Sequence, residues 1–306
     1  MANGNFECRI VGLFHSPFAI RHSHLATPHR QVPAMTTPRI LLFDSGMGGL
    51  TVAGAVGTQL PHAHLVYAAD NAAFPYGAWQ EEALVRRIVG VMGALIERVQ
   101  PDIAVIACNT ASTIALAQLR EAYKLPFVGT VPAIKPAAAQ TKSGIIGVLA
   151  TPGTVSREYT HALIHSYASH CKVFLHGAKR LAEIAEAKLK GGLVDMDELR
   201  AEIGPVFRKH DSRRTDVVVL GCTHYPLLVE DIVRIAPWEV AYIDPAPAIA
   251  RRVADVLDET PLRVPDKPLP PHGTVLLTSQ RGQAADSLGA YGGMGFPLPE
   301  FVDLPV

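Results

Sequence analysis

Residues 39–49 read RILLFDSGMGG, an apolar run that stops at Asp44 and continues into a glycine-rich turn. Residues 103–107 and 217–220 repeat the first part of this pattern, since both are apolar stretches without polar alternation that end at a turn. Such runs are typical of strands that are covered on both faces, and therefore of a parallel sheet. The stretch at 39–49 thus predicts a buried strand whose carboxyl end opens into a loop, the place where parallel sheets bind ligands.

Similar apolar runs alternate with helical patterns from Pro38 onward. The predicted strands are residues 39–43, 64–68, 103–107, 127–131, 144–149, 172–175, 217–220, 240–243 and 274–278. The predicted helices are residues 81–99, 110–123, 156–167, 181–190 and 196–209, and the basic segment 207–214 is interpreted as a solvated helix end. This succession predicts an α/β fold of doubly wound parallel sheets.

The chain of 306 residues exceeds what one core usually holds, so we expect two lobes. Proline-rich crossings at 132–136 and 245–247 divide them. The first lobe is predicted to comprise residues 37–132 and 245–306, and the second residues 133–244. Residues 1–36 carry no regular apolar period, and we interpret them as a poorly ordered extension, with Met35 as an alternative start and a transit peptide as a less favoured reading.

The charge balance excludes several classes of partner. The 28 basic and 28 acidic residues cancel, so no excess field favours nucleic acid or a membrane surface. Hydrophobic residues make up 48% of the chain, yet no uncharged apolar run is long enough to span a bilayer. We therefore expect a cytoplasmic globular protein.

The cysteines and histidines give no metal or disulfide signature. The chain has 4 cysteines and no CxxC pair, which argues against a disulfide framework or a zinc ribbon. His161, His165 and His170 stand at near-helical spacing, but no carboxylate or cysteine completes a ligand set, so we interpret them as a solvated helix face. No lysine follows a motif suited to pyridoxal phosphate. The sequence predicts neither a metal nor a cofactor.

Two of the cysteines occupy matching places. Cys108 in VIACNT and Cys222 in VLGCTH each follow a buried strand and a small residue, and each precedes residues that start a helix well. A thiol at a helix N-terminus is expected to have a pKa below its reference value of about 8.5. The repetition suggests a site with approximate two-fold symmetry between the lobes.

Paired thiols that face one another without bonding suit the inversion of a carbon stereocentre. One base removes the Cα proton from one face, a second group protonates the other face, and the roles exchange in the reverse direction. A redox disulfide is the alternative, although it favours thiols that lie close in sequence or under strain.

Four motifs carry a resemblance to the glutamate racemase family. They are FDSGMGGLTV (43–52), AADNAAFPYG (68–77), ACNTAS (107–112) and LGCTHYPLL (220–228), in the order and approximate spacing of that family. The resemblance spans residues 40–250. It implies cofactor-independent interconversion of L- and D-glutamate, supplying D-glutamate for peptidoglycan, in a site between two lobes of a dimeric enzyme.

The resemblance also implies the site residues. The catalytic cysteines of the family fall on Cys108, which acts on D-glutamate, and Cys222, which acts on L-glutamate. By their chemistry, Asp44 is suited to accept from the substrate ammonium or to accept a proton from Cys108, and His224 to do the corresponding job beside Cys222. A family acid corresponds to Glu186, although the preceding residues 176–179 depart from the family pattern. The substrate-holding positions fall on Asp44, Ser45, Tyr76, Gly77, Asn109, Thr110, Thr151, Thr154, Thr223 and His224.

Two other functions stay open from the sequence. The same fold serves aspartate racemases and related isomerases, although PYG (75–77) and CTHYP (222–226) favour glutamate. A non-catalytic amino-acid-binding protein would keep the pocket without the reaction.

Overall fold

Two parallel sheets organise the part of the chain that the structure describes. The computed structural model describes residues 37–262, 273–280, 289, 291–293 and 295–303, so the predicted extension at 1–36 lies outside it. The strands are β1 (Arg39–Asp44), β2 (His64–Ala69), β3 (Ile103–Ile106), β4 (Phe127–Gly129), β5 (Ile145–Ala150), β6 (Lys172–Gly177), β7 (Lys209–His210), β8 (Arg213–Arg214), β9 (Val217–Gly221), β10 (Ala241–Ile243), β11 (Thr274–Leu277) and β12 (Glu300–Phe301).

Helices connect these strands and cover the sheets. They are α1 (Leu50–Gln59), α2 (Glu81–Val99), α3 (Asn109–Ala122), α4 (Ile134–Gln140), α5 (Pro152–Val155), α6 (Glu158–Ala168), α7 (Leu181–Leu189), α8 (Met196–Ile203), α9 (Val229–Ile235) and α10 (Ala246–Asp258). Short 3₁₀ turns occupy Asn71–Ala73, Tyr76–Ala78, Gly204–Val206 and Tyr225–Leu228.

The second sheet has the topology of four strands of the first. The first has the strand order β12-β11-β2-β1-β3-β4, and the second has the order β10-β9-β5-β6. Both run parallel throughout. The orders β2-β1-β3-β4 and β6-β5-β9-β10 are the same, so β3 and β9 are equivalent strands. The predicted α/β fold with two parallel sheets is confirmed, and the equivalent strands β3 and β9 are those that lead into Cys108 and Cys222.

The apolar runs are strands because both of their faces are buried. Ile40 and Leu42 of β1 belong to one apolar cluster, and Leu41 and Phe43 belong to the cluster on the opposite face of the sheet. In β9 the alternate residues likewise divide between two clusters. Side chains alternate across a strand, so a doubly covered strand needs an uninterrupted apolar sequence.

The basic segment after α8 was interpreted wrongly. The predicted helix 196–209 ends at Ile203, and a 3₁₀ turn begins at Gly204 because Pro205 cannot continue the helical hydrogen bonding. Residues 209–214 then form an antiparallel hairpin of β7 and β8. Asp211 and Ser212 connect the strands with φ values of 48° and 62°, the left-handed geometry that tight hairpin turns require.

Several elements had no sequence prediction. Helix α10 is strongly amphipathic and packs with α1 on the first sheet, and β12 extends that sheet beside β11. Within the described ranges no helix combines the length and apolar character that crossing a membrane requires.

Candidate active site

A small cleft lies where strands of both sheets end. It follows β1, β3 and β9, and its volume is about 30 Å³, room for a water molecule or two. The lining residues are Ser45, Phe74, Pro75, Tyr76, Gly77, Cys108, Asn109, Thr110, Thr151, Cys222, Thr223 and His224. Both cysteines from equivalent strands therefore line one cleft, together with most of the residues that the sequence predicted for the site.

The Cys108 side of the cleft is built on the ends of β1 and β3. Cys108 is the residue immediately before α3. Its thiol donates to Oγ of Ser45 over 3.7 Å, and the Ser45 hydroxyl donates to Oδ1 of Asp44 over 3.5 Å. Asp44 is fully buried and also accepts the backbone N–H of Gly46 at 2.8 Å. The arrangement is a thiol, a hydroxyl and a carboxylate in series.

Burial gives this side a neutral thiol. The loss of hydration, reinforced by the charge of Asp44, raises the pKa of Cys108 to about 12. Burial also raises the pKa of Asp44. The expectation that the helix N-terminus lowers the pKa of this thiol is therefore wrong, because the thiol is enclosed and faces a carboxylate.

The Cys222 side uses a different series of groups. Sγ of Cys222 lies 3.7 Å from Nδ1 of His224, and Nε2 of His224 lies 3.1 Å from Oε1 of Glu186. All three residues are buried. The ring of Phe74 covers His224, with the ring centroids 5.5 Å apart. This side is a thiol, an imidazole and a carboxylate in series.

The His224 imidazole and the Glu186 carboxylate each stabilise the charged form of the other. Burial lowers the pKa of His224, but the hydrogen bonds to Cys222 and Glu186 outweigh it and raise that pKa well above its usual value. Burial likewise opposes ionisation of Glu186, but His224, the Met47 amide and Lys190 lower its pKa to about 2. The favoured form is an imidazolium that donates to Glu186 and to Cys222.

The loop after β1 connects the two sides. The Met47 N–H donates to Oε1 of Glu186 at 2.7 Å, and the Gly48 N–H lies 3.2 Å from Nε2 of His224. In the other direction, the Thr223 hydroxyl donates to Oδ2 of Asp44 at 3.0 Å. Each carboxylate therefore accepts a hydrogen bond from the opposite side.

Asn109 presents unused polar atoms to the cleft. It is 2% exposed, and neither its Oδ1 nor its Nδ2 has a hydrogen-bond partner among the described residues. Buried amides are normally paired, so this pair of atoms is suited to a polar ligand. Thr110, one residue on, also lines the cleft.

The two threonines after β5 have different positions. Thr151 lines the cleft and precedes α5, and its hydroxyl accepts the Thr154 N–H at 3.3 Å. Thr154 is fully buried, and its Oγ1 lies 3.0 Å from that of Thr151. Thr154, like Asp44 and Glu186, lies behind the residues that line the cleft.

The loop at 70–79 covers one end of the cleft. The Tyr76 hydroxyl donates to Oδ2 of Asp70 at 2.7 Å, and Arg87 holds the same carboxylate with two hydrogen bonds of 2.7 Å. The hydroxyl of Tyr76 is thus engaged away from a ligand. Phe74 and Pro75 line the cleft beside it, although sequence reasoning selected only Tyr76 and Gly77 from the string FPYG.

Metal-ligand geometry does not occur in the described ranges. No group of three or more His, Cys, Asp or Glu residues is placed there to hold an ion. His161 and His165 lie on α6, and His165 is exposed.

Two parallel sheets with a cysteine at the end of equivalent strands are the arrangement expected of an amino-acid racemase. Residues 51–253 match the family model described as Asp/Glu/Hydantoin racemase, and the chain belongs to this family.

Glutamate racemases are among its relatives within the family. The chain is 57% identical over 219 residues to the glutamate racemase of Brucella canis, covering 71% of this chain and 79% of that protein. The glutamate racemase of Brucella anthropi is 52% identical over 243 residues, with coverages of 79% and 86%.

Solved structures give the same result. The crystal structure of Escherichia coli glutamate racemase, in complex with L-glutamate and an activator, has a TM-score of 0.81 and 41% identity, covering 88% of this chain and 100% of that one. An isoform from Bacillus anthracis has a TM-score of 0.73 and 30% identity, with coverages of 88% and 98%. The resemblance to glutamate racemase in the four sequence motifs is confirmed.

Proposed function

We propose that this protein interconverts L- and D-glutamate by two-base proton transfer at Cα. The observation that carries this proposal is that Cys108 and Cys222 follow equivalent strands of the two sheets and line the same cleft. The family and the glutamate racemases of similar sequence support glutamate as the substrate.

In the L-to-D direction, Cys222 acts as the base. The His224 imidazolium stabilises negative charge on the sulfur beside it, which leaves Cys222 ready to accept the Cα proton of L-glutamate. The electron pair of the broken C–H bond stays on Cα. Cys108, which burial holds as a neutral thiol, then donates its proton to the opposite face and becomes the thiolate. The reverse reaction exchanges the two roles.

The remaining lining residues hold the substrate. Oδ1 of Asn109 accepts from the substrate ammonium, and its Nδ2 donates to a carboxylate, which satisfies both unpaired atoms. The hydroxyls of Thr110 and Thr151 supply further donors, and Tyr76 and Gly77 form the wall. The hydroxyls of Ser45 and Thr223 donate to Asp44, so their oxygens accept from the substrate ammonium. Asp44, Glu186 and Thr154 act from behind the lining.

The cleft must widen to admit this substrate. A volume of about 30 Å³ is too small for glutamate, so the lining residues separate on binding and close again around the bound molecule. Closure excludes water and strengthens the electrostatic stabilisation of negative charge at Cα.

The test is the rate at which D-glutamate forms from L-glutamate with a chelator present and no cofactor added. Circular dichroism follows the loss of optical activity. We expect racemisation of glutamate and much slower racemisation of aspartate; turnover dominated by aspartate would favour an aspartate racemase. A protein that binds glutamate without exchanging its Cα hydrogen for solvent deuterium would be a binding protein instead.

The family also supports a proposal about the setting of the reaction. We infer that the protein acts in the cytoplasm as a homodimer and that its product supplies D-glutamate for peptidoglycan. Sedimentation of the full chain tests the dimer, and D-glutamate dependence of cells that lack the protein tests the role in the cell wall.

A further inference from the structure

The glycines of the loop after β1 are approached by side chains of the site. None of Gly46, Gly48 and Gly49 has the positive φ that is found at Gly144 or Gly191. The backbone conformation of the loop therefore does not require glycine at these positions. The reason for glycine lies in what packs against it.

Gly46 and Gly48 face the Cys222 side. A Cβ atom at Gly46 would lie 2.2 Å from Oε1 of Glu186, and one at Gly48 would lie 2.4 Å from Nδ1 of His224. Real Cβ atoms essentially never lie within 3.0 Å of such neighbours, so an alanine at either position displaces the imidazole or the carboxylate. Between them, the Met47 N–H holds Glu186 directly.

Gly49 faces the Cys108 side. A Cβ atom there would lie 2.8 Å from Cβ of Asp44 and 2.9 Å from its Oδ2. In contrast, Gly54 of α1, a few residues further on, has no heavy atom within 4 Å of such a Cβ. The loop thus places separate glycines against the two supporting carboxylates.

We propose that Gly46 and Gly48 are positioning residues for proton transfer at Cys222, and that Gly49 is the positioning residue for proton transfer at Cys108. The proposal rests on the two-base function above. It makes the loop after β1 a shared support that fixes the Glu186–His224 pair on one side and Asp44 on the other.

The rates in the two directions do not test this proposal by themselves. Enantiomers have equal free energies, so any variant must lose kcat/KM equally in both directions. The size of the primary isotope effect for each enantiomer does report which proton transfer has become slower. Because Cys222 takes the proton of L-glutamate, slower transfer at Cys222 raises the isotope effect for L-glutamate deuterated at C2 and lowers that for the D enantiomer.

The experiment compares Gly46→Ala, Gly48→Ala and Gly49→Ala with the control Gly54→Ala. We expect kcat/KM to fall about 100-fold in the first three, since a shift of about 1 Å in a catalytic group has an effect of that order. In Gly46→Ala and Gly48→Ala the isotope effect should rise for deuterated L-glutamate and fall toward 1 for deuterated D-glutamate. Gly49→Ala should change them in the opposite sense, and Gly54→Ala should match the wild type.

A double variant separates positioning from a general defect in folding. In a His224→Ala background the ring that meets residue 48 is gone, so Gly48→Ala should cost less than about 3-fold there. A full 100-fold loss in that background, or isotope effects that change alike in Gly48→Ala and Gly49→Ala, would overturn the proposal. A wild-type protein that leaves the Cα hydrogen of glutamate in place would instead contradict the proposed function.

Discussion

Each side of the cleft has a sulfur, a polar side chain and a buried carboxylate in series. The two sides differ in the polar side chain between the sulfur and the carboxylate, which we call the relay. The relay is the hydroxyl of Ser45 on the Cys108 side and the imidazole of His224 on the Cys222 side. A hydroxyl stays neutral, whereas the imidazole carries a positive charge beside Glu186. The shared topology places the two thiols alike. We propose that their tasks differ because burial and the charge of Asp44 keep Cys108 protonated as the acid, whereas His224 beside Cys222 supports that thiol as the base for L-glutamate.

The largest effect is expected from removing either thiol. Cys108→Ser and Cys222→Ser should each reduce racemisation by about 10³-fold or more, because a hydroxyl is far too weak an acid to replace a thiol in general acid–base catalysis. The polarimetric rate measures the loss. Cys171→Ser is the matched control, since Cys171 lies outside the cleft and should behave as the wild type. Normal turnover in Cys108→Ser would remove the basis of the account.

A smaller loss is expected from changing the charged relay. His224→Asn keeps a polar side chain but removes the positive charge, so we expect kcat/KM to fall about 100-fold, within the usual range for a group that assists proton transfer. The full pH profile of kcat/KM is the measurement, because loss of the imidazolium should also change the ionisation that the profile reports. A profile identical in shape and height to that of the wild type would contradict this assignment.

Removing the hydroxyl of Ser45 should reduce the rate less than removing the imidazole of His224. Ser45→Ala removes a hydrogen bond between uncharged groups, which is usually worth about 0.5–1.5 kcal/mol, so we expect a rate loss of about 2- to 10-fold. The size of this loss relative to that in His224→Asn is the result that tests the assignment. A loss in Ser45→Ala that exceeds the loss in His224→Asn would mean that the difference between the relays has been assigned to the wrong side.

The acid stability of the protein tests the carboxylate of the charged side without an activity assay. The pKa of Glu186 is lowered from 4.5 to about 2 in the folded protein. A lowered pKa contributes stability above the unfolded value, and this contribution disappears as the pH falls through the folded value.

The difference in unfolding free energy between wild type and Glu186→Gln should therefore shrink by roughly 3 kcal/mol from pH 7 to pH 2. Urea unfolding at a series of pH values provides the measurement, with Glu183→Gln, a partly exposed position on the same helix, as the control. A difference that stays constant with pH would show that Glu186 has an ordinary pKa.

The sequence predicted the sheets well because their strands are covered on both faces. The uninterrupted runs at 39–43 and 217–220 leave no alternative to a buried parallel strand, and strand β11 was found by the same pattern. The segment 207–214 was misread because its charges fit an exposed helix as well as an exposed hairpin. Only the proline at 205 and the turn at Asp211 and Ser212 distinguish the two.

The cleft was predictable only in part. The residues at the strand ends follow from the topology, so Cys108, Asn109, Cys222 and Thr223 could be selected from the sequence. The protonation of Cys108 could not, because it depends on burial and on the charge of Asp44, which come from distant parts of the chain. Phe74 was also missed, since a lone aromatic residue before a proline gives no sign that its ring covers a histidine.

The most direct test of the two-base account follows the hydrogen at Cα in deuterated water. Wild-type protein is given L-glutamate and the reaction is stopped early. The enantiomers are then separated, and the deuterium content of each is measured by mass spectrometry. Opposed thiols predict that the D-glutamate formed carries deuterium at Cα, while the remaining L-glutamate keeps its original hydrogen. Deuterium in both enantiomers from the first turnovers, or D-glutamate that retains the substrate hydrogen, would point to a single base and contradict the account.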